Sequence, residues 1–253
     1  PRVLIVSSGN AAVSLSAYAA RAGIECVCVV PQDTTPAKCA YIELYGGILI
    51  KRPGSYEDLY RWAVANVKDA WNCTPGQNPV AEAGLRLIGY ELAAQLQYRL
   101  PDTVVVPCGN GTLLAQVYQA FEELKAAGLV AKVPRMIGVQ IVGAAPLKVA
   151  HESGRHFARV NNAPDSIAEG IIAEESYSSP TAVRALGLSG GRIVEVSDRD
   201  VVAALAELVR KEQILPEPTA AAAFAGLRKL TFSTSERVVV INTADGRKDA
   251  ANI

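Results

Sequence analysis

The chain has 253 residues, half of them hydrophobic, with 25 Lys and Arg against 25 Asp and Glu, and a mean hydropathy of +0.17. Such a chain can bury one large core or two smaller ones and is excluded from the disordered class. Its charge balance supplies no net field to draw nucleic acid, an anionic membrane or a polyacidic partner, so a charged ligand must be held locally. The five cysteines (Cys26, Cys28, Cys39, Cys73, Cys108) are odd in number and form no repeated CxxC pair. They read as small buried hydrophobes of a reducing compartment rather than as zinc ligands or disulfides. The opening PRVLIVSSGN lacks a charged n-region followed by a signal-type apolar stretch, and no run reaches the ~18 apolar residues of a membrane span. A cytoplasmic location is the expectation.

In chain order, short β-branched runs alternate with longer helical patterns. VLIV leads into a helix from Ala11 to Arg21, CVCVV into a helix through Lys38 to Tyr45, and ILIK into a helix from Tyr56 to Lys68. That rhythm predicts βαβ units and a parallel sheet. The turn-rich NCTPGQNP, Asn72 to Pro79, interrupts it and predicts a domain boundary, with residues 1–75 forming a smaller α/β domain and 76–253 a larger one. A helix from Val80 to Leu96 then opens a second series containing TVVVP, MIGVQIV, RIVEV and RVVVIN. Residues 158–180 show no clean period and read as a long functional connection.

Three loops carry the chemistry, each following an apolar strand. SSGN, residues 7–10, places Ser7, Ser8, Gly9 and Asn10 where an open parallel sheet leaves a crevice at its strand ends. In TVVVPCGNGTLLAQVYQAF, Gly109 and Gly111 let the backbone turn with N–H groups outward, and the following helix adds its positive dipole end. That is an anion cradle. It is not a P-loop, and it is an incomplete dinucleotide fingerprint, because leucine stands where the third glycine belongs. In RVVVINTADGRKDA, a buried strand ends in Asn242, Thr243 and Asp245 around Gly246. Taken together, an anion cradle and polar, uncharged walls suit a phosphorylated, flat, heteroaromatic ligand.

SSGNAAVSLSAYAARAG resembles the S-x-G-N-x-A segment of fold-type II pyridoxal-phosphate (PLP) enzymes, the tryptophan synthase β family, and within it the threonine synthases. Further segments agree in the same order: VVVPCGNGTLLAQVYQAF with the phosphate loop, PRMIGVQIVGAAPL with the strand and turn after it, ILPEPTAAAAFAGLRKL with the Glu-Pro-x-x-Ala helix start, and VVVINTADGRKD with the final segment. The resemblance implies a two-domain α/β fold with parallel or mixed sheets flanked by helices and the cofactor, pyridoxal 5'-phosphate, in the cleft between domains. It implies that Asn10 contacts the ring oxygen and that Gly109, Asn110, Gly111 and Thr112 hold the phosphate. Thr243 would meet the pyridine nitrogen, where a neutral hydroxyl makes the ring a tempered electron sink suited to elimination and replacement. Ser7, Ser8 and Gly9 would receive the substrate carboxylate, with Asn78 and Glu169 as further substrate contacts.

The implied activity is a lyase that converts O-phosphohomoserine and water to threonine and phosphate by γ-elimination and β-replacement. Its partner is a small amino-acid substrate, with no nucleic acid or membrane, and homodimerisation is a family expectation. The family's cofactor-bonded lysine sits in a Ser-Phe-Lys-Asp-type segment upstream of S-x-G-N, so no catalytic residue is assigned within this chain and that lysine is expected before Pro1. Lys38, Lys51, Lys148 and Lys248 read instead as solvated surface charges. Asn78, Pro79, Val80 and Ala81 replace the Asn-Pro-Tyr-Arg usual in threonine synthases, leaving Arg86 to substitute for the arginine, and Ala168, Glu169 and Gly170 look more like the Ala-Asp-Gly of threonine dehydratases. A threonine or serine dehydratase, another PLP replacement enzyme and a catalytically silent amino-acid-binding protein therefore remain alternatives. His151 and His156, in HESGRH, read as an exposed helix end, and no metal site is expected.

Overall fold

The computed structural model describes residues 1–7, 9–54 and 56–247, the side chain of Glu57 excepted; Ser8, Ser55 and residues 248–253 lie outside the described residues. The chain divides into two compact units, Pro1–Ala81 and Glu82–Ile253. The division falls inside a short helix, Pro79–Ala83, rather than at residue 75 beside the turn-rich stretch.

In the first unit, β1 (Arg2–Val6), β2 (Glu25–Pro31), β3 (Ile48–Arg52) and the two-residue β4 (Trp71–Asn72) form a sheet in the order β3-β2-β1-β4. Every pairing is parallel. The period of two along the strands sorts the core into faces. Ile5, Cys26, Cys28 and Val30 pack with Ala12, Ala19 and Ile42 of α1 (Asn10–Ala22) and α2 (Pro36–Leu44). Leu4, Val6, Val27 and Val29 pack with Leu59 and Ala63 of α3 (Tyr56–Asn66). The split follows from handedness: crossovers are right-handed, so helices leading β1 to β2 to β3 lie on one face, and the helix returning the chain to the far side of β1 lies on the other. The strand order therefore reverses between β1 and β4.

The second unit repeats this plan. The helix that straddles the division, α4 (Pro79–Ala83), is followed by α5 (Arg86–Gln95), so the expected helix from Val80 to Leu96 is broken. The break falls at Gly84 and Leu85, outside both helices, where glycine costs a helix about 1 kcal/mol relative to alanine. Strands β5 (Thr103–Pro107), β6 (Arg135–Ile141), β7 (Arg192–Val196) and β8 (Val238–Val240) form an all-parallel sheet in the order β7-β6-β5-β8. On one face, α6 (Thr112–Ala126) and α8 (Ser179–Ser189) cover Val104, Val106 and Met136. On the other, α9 (Asp198–Glu212) and α10 (Pro218–Leu227) cover Val105, Ile137 and Val139. The short α7 (Pro146–Glu152) follows β6. Residues 158–180, expected as a connection, hold a single 3-10 turn, Glu169–Ile171, before α8 begins. The order reverses between β5 and β8, and at such a switch point the loops leaving the carboxyl ends diverge to opposite faces and open a crevice. No helix among the described residues is long and apolar enough to cross a membrane.

Helix α9 starts on a capping box: Asp200 N–H donates to Ser197 Oγ at 3.3 Å, and Ser197 N–H donates to Asp200 Oδ2 at 2.9 Å. Lys229 adds an ion pair to the same carboxylate at 2.7 Å. Lys229 and the Ser197 N–H together hold the Asp200 carboxyl at about 2. A depressed folded value means that this stability is complete above about pH 4, the carboxyl's ordinary range, and is lost as pH falls toward about 2. Ser197→Ala is expected to cost about 1 kcal/mol in urea unfolding at neutral pH. The stability advantage of the wild type over Asp200→Asn should vanish across that acid window; an advantage that persists to the lower end would refute the assignment.

Candidate functional site

In the first unit, the loop at the carboxyl end of β1 is held from both neighbouring strands. Ser7 N–H donates to Val29 O of β2 at 3.2 Å, and Val6 N–H donates to Oγ1 of the fully buried Thr74, just beyond β4, at 3.1 Å. Gly9 then turns at φ 156° and ψ −78°, a combination closed to residues with a Cβ, and its N–H donates back to Ser7 Oγ at 3.2 Å. Asn10 follows as the first residue of α1. Ser7, Gly9 and Asn10 are thus gathered at one helix start, while Ser8 lies outside the described residues.

Lys38 corrects the expectation of a solvated surface charge. It is only 7% exposed, and a Cβ added to Gly9 would lie 2.4 Å from its Cδ. The side chain fills the space that glycine leaves, its aliphatic stem serving as core. Asn78 is also buried, and its amide is committed to backbone. Its Nδ2 donates to Asn72 O at 2.6 Å, and its Oδ1 accepts from Val80 and Ala81 N–H at 2.9 and 3.1 Å. The structure places it as the cap of α4.

In the second unit, β5 ends at Pro107 and α6 begins at Thr112. A peptide loop can accept an anion only if its N–H groups point outward and its carbonyls are satisfied elsewhere. Both conditions are met. Among the described residues, no acceptor meets the backbone N–H groups from Gly109 to Leu114. Gly109 O accepts from Ser176 Oγ at 2.8 Å and, longer, from Gln140 Nε2 at 3.5 Å. Asn110 O accepts from Ser178 N–H at 3.2 Å, and Gly111 O from Ala115 N–H at 3.0 Å. Gly111 sits at φ 82°, with the place of its missing Cβ 2.7 Å from Ala182 Cβ and 3.0 Å from Leu147 Cδ1. Cys108, beside the loop, is no nucleophile at neutral pH, because burial pushes its thiol up to about 12.

The third loop leaves β8, hydrogen-bonded to β5 through Ile241 N–H and Val105 O at 3.0 Å. Glu217, the buried residue ahead of α10, donates its N–H to Ala244 O at 3.0 Å. Two residues on, Thr219 Oγ1 accepts from Gly170 N–H at 3.1 Å. Gly170 and Ile171 lie against Gly109, where an added Cβ would meet Ile171 Cα at 3.2 Å. Gly109, the Glu169–Ile171 turn, the start of α10 and the segment around Thr243 are therefore one contiguous cluster at the carboxyl edge of the sheet. Thr243 is exposed and lines a cavity of about 700 Å³ with Asn242, Asp245 and Arg247. Asp245 pairs with Arg247 at 2.7 Å, so its charge is met within the loop. Glu169 is exposed beside Gly170. Arg86, which would have to substitute for the arginine of the Asn-Pro-Tyr-Arg motif, is bound to Gln116 at 2.8 Å and to Glu123 at 2.9 Å along α6.

Sequence reasoning did not single out Gln140, Ser176 or Thr219. Gln140 left a signal, as the one polar residue inside an apolar strand run, and it is fully buried. Ser176 and Thr219 left none, because their partners are distant in sequence. His151 and His156 join no metal cluster among the described residues.

A doubly wound sheet with an outward-facing N–H cradle at its switch point defines an α/β protein with a loop able to accept an anion. The family described as pyridoxal-phosphate dependent enzyme (PALP) matches residues 1–244, and the chain belongs to that family. It is 32% identical over 249 residues to the threonine synthase of Methanocaldococcus jannaschii, covering 96% of this chain and 62% of that protein. It is also 32% identical over 263 residues to the threonine synthase of Methanosarcina acetivorans, covering 99% of this chain and 64% of that protein. The chain thus spans somewhat under two thirds of the length of these relatives. Among solved structures, a threonine deaminase from T.th. superposes with a TM-score of 0.83 at 24% identity, covering 97% of this chain and 78% of that one, a likeness of fold.

The residues present fit the phosphate of the family's cofactor, since a dianion satisfies unmet N–H groups at a helix start. Gly111→Ala tests the fit, with Gly128→Ala as its control: Gly128 also has a positive φ, 72°, but nothing lies within 4 Å of its Cβ position. Each is expected to cost about 1–2 kcal/mol for the left-handed backbone. Gly111→Ala should cost more because of crowding, and it alone should weaken PLP binding, followed by fluorescence titration. Equal PLP affinity in both variants would remove the cradle from the site.

Proposed function

We propose that the protein is a PLP-dependent lyase of the threonine synthase type, converting O-phosphohomoserine and water to threonine and phosphate. The observation that carries this reading is the similarity, at about a third identity along nearly the whole chain, to proteins named threonine synthase. In it, the N–H groups of Gly109, Asn110, Gly111 and Thr112 grip the cofactor phosphate, Asn10 meets the ring oxygen, and the Thr243 hydroxyl meets the ring nitrogen. The cofactor, when bound, supplies the electron sink for breaking bonds at the substrate's α, β and γ carbons. A neutral hydroxyl at the ring nitrogen cannot hold a proton there as a carboxylate would, and this tempers the sink.

Ser7 and the Gly9 turn orient the substrate carboxylate, aided by the positive end of α1. Glu169 is exposed beside the cradle and is a candidate to bind the amino group or handle a proton; Asn78 shapes the substrate side as the cap of α4 rather than by a free amide. None of the described lysines is assigned the bond to the cofactor. Lys38 packs on Gly9, Lys51 donates to Thr34 O at 3.3 Å, and Lys148, raised by its hydrogen bond to Glu195, stays charged. We place the reaction in the cytoplasm, with a small amino acid as partner and a homodimer as the assembly.

A second reading, threonine or serine dehydratase, draws on Ala168-Glu169-Gly170. Protein expressed from the whole gene and supplied with PLP separates the two. Phosphate release from O-phosphohomoserine with no ketoacid from threonine is the expected result. Ketoacid without phosphate would overturn the synthase reading in favour of the dehydratase, and neither product would overturn both.

A further inference from the structure

We infer that Ser176 and Ser178 are the positioning residues of the cofactor-phosphate cradle, and that Ser178 orients the Thr112 hydroxyl so that its proton is given to the phosphate. The inference rests on the reading that residues 109–112 hold that phosphate. The segment belongs to the long connection before α8, read from the sequence as functional but with neither serine singled out.

Alternate residues of this segment reach successive groups of the loop. Ser176 Oγ donates to Gly109 O at 2.8 Å, and Ser178 N–H donates to Asn110 O at 3.2 Å. Ser178 Oγ lies 2.7 Å from Thr112 Oγ1. Ser178 therefore spans residues 110 and 112 with its own backbone and side chain. The two serines and Thr112 are buried, at 0%, 7% and 8% exposure, so water does not compete freely for these bonds.

The hydroxyl arithmetic then sets a direction. Each hydroxyl carries one proton and two lone pairs. Ser178 Oγ and Thr112 Oγ1 have each other as their side-chain partner, and no other meets either oxygen among the described residues. The bond between them consumes one proton and leaves one. If Thr112 donated, the spare proton would sit on Ser178, which is not a residue of the 109–112 loop. If Ser178 donates, the spare proton sits on Thr112, the first residue of α6, where a dianion is its natural acceptor. A bound phosphate selects the second arrangement. Ser178 thus acts on the ligand through Thr112, while Ser176 keeps the Gly109 carbonyl from turning toward the negative charge.

The test compares PLP with pyridoxal, which lacks the phosphate, by titrating each into protein expressed from the whole gene and following absorbance. Thr112→Val should weaken PLP about tenfold or more, the loss of one charge-assisted bond. Ser178→Ala should weaken it by roughly three- to tenfold, and the double variant no further than Thr112→Val alone. Ser176→Ala, which breaks a different bond, should also weaken PLP, and pyridoxal affinity should stay level throughout. A merely structural role would lower both ligands together, and that result overturns the proposal. So do additive effects of Ser178→Ala and Thr112→Val, or an unchanged PLP affinity in both serine variants while Thr112→Val binds weakly. If Thr112→Val itself binds PLP as the wild type does, its hydroxyl makes no bond to the phosphate and the inference falls, whereas the N–H assignment of residues 109–112 is decided separately by Gly111→Ala.

Discussion

A peptide group offers a donor and an acceptor together, so a loop that grips an anion through N–H groups must dispose of its carbonyls in the opposite direction. This constraint organises the second unit. The carbonyls of Gly109, Asn110 and Gly111 are each taken up, by Ser176, by Ser178 and by the first turn of α6. The segment that supplies the serines follows the Glu169–Ile171 turn, and that turn is held by Thr219 at the start of α10. The start of α10 in turn is bonded to the segment around Thr243. The arrangement at residues 109–112, with carbonyls taken up and N–H groups left outward, is thereby linked to contacts spread over more than a hundred residues of sequence.

Both units solve the crevice problem by the same topology, a four-stranded parallel sheet whose order reverses beside its first strand. The loop after β1 and the loop after β5 occupy equivalent positions, and each leads through a glycine, Gly9 or Gly111, into the helix that follows. Handedness does the rest: the reversal sends successive helices to opposite faces and leaves the carboxyl ends of two neighbouring strands uncovered.

The sheet strands and the helices between them were legible because burial writes a period into the sequence. CVCVV is apolar at every position and TVVVP at all but its first, and these strands are buried on both faces. The glycine loops were legible because the backbone at residues 9 and 111 favours glycine, whose missing Cβ would there crowd Lys38, Ala182 and Leu147. What escaped had no local cause. The two-residue β4 is too short to carry a pattern. Gly84 inside an otherwise helical run was outweighed by the residues around it. Lys38 looked like any exposed lysine, because its burial depends on the glycine opposite it rather than on its neighbours in the chain. The serine supports of the cradle depend on partners more than sixty residues away.

Helix α10 has its own consequence. Ala220, Ala221, Ala222, Ala223 and Ala225 are all buried, and the place of a Cβ on Gly226 would fall 2.4 Å from Val139 Cγ2. Alanine has no rotamers to surrender when it docks, so this helix meets the sheet with almost no side-chain entropy lost. The same lack of rotamers leaves it no way to adapt to a larger neighbour. Drift in sequence should therefore be confined on both sides of this contact, with bulk gained at one position tolerated only where it is shed at the other.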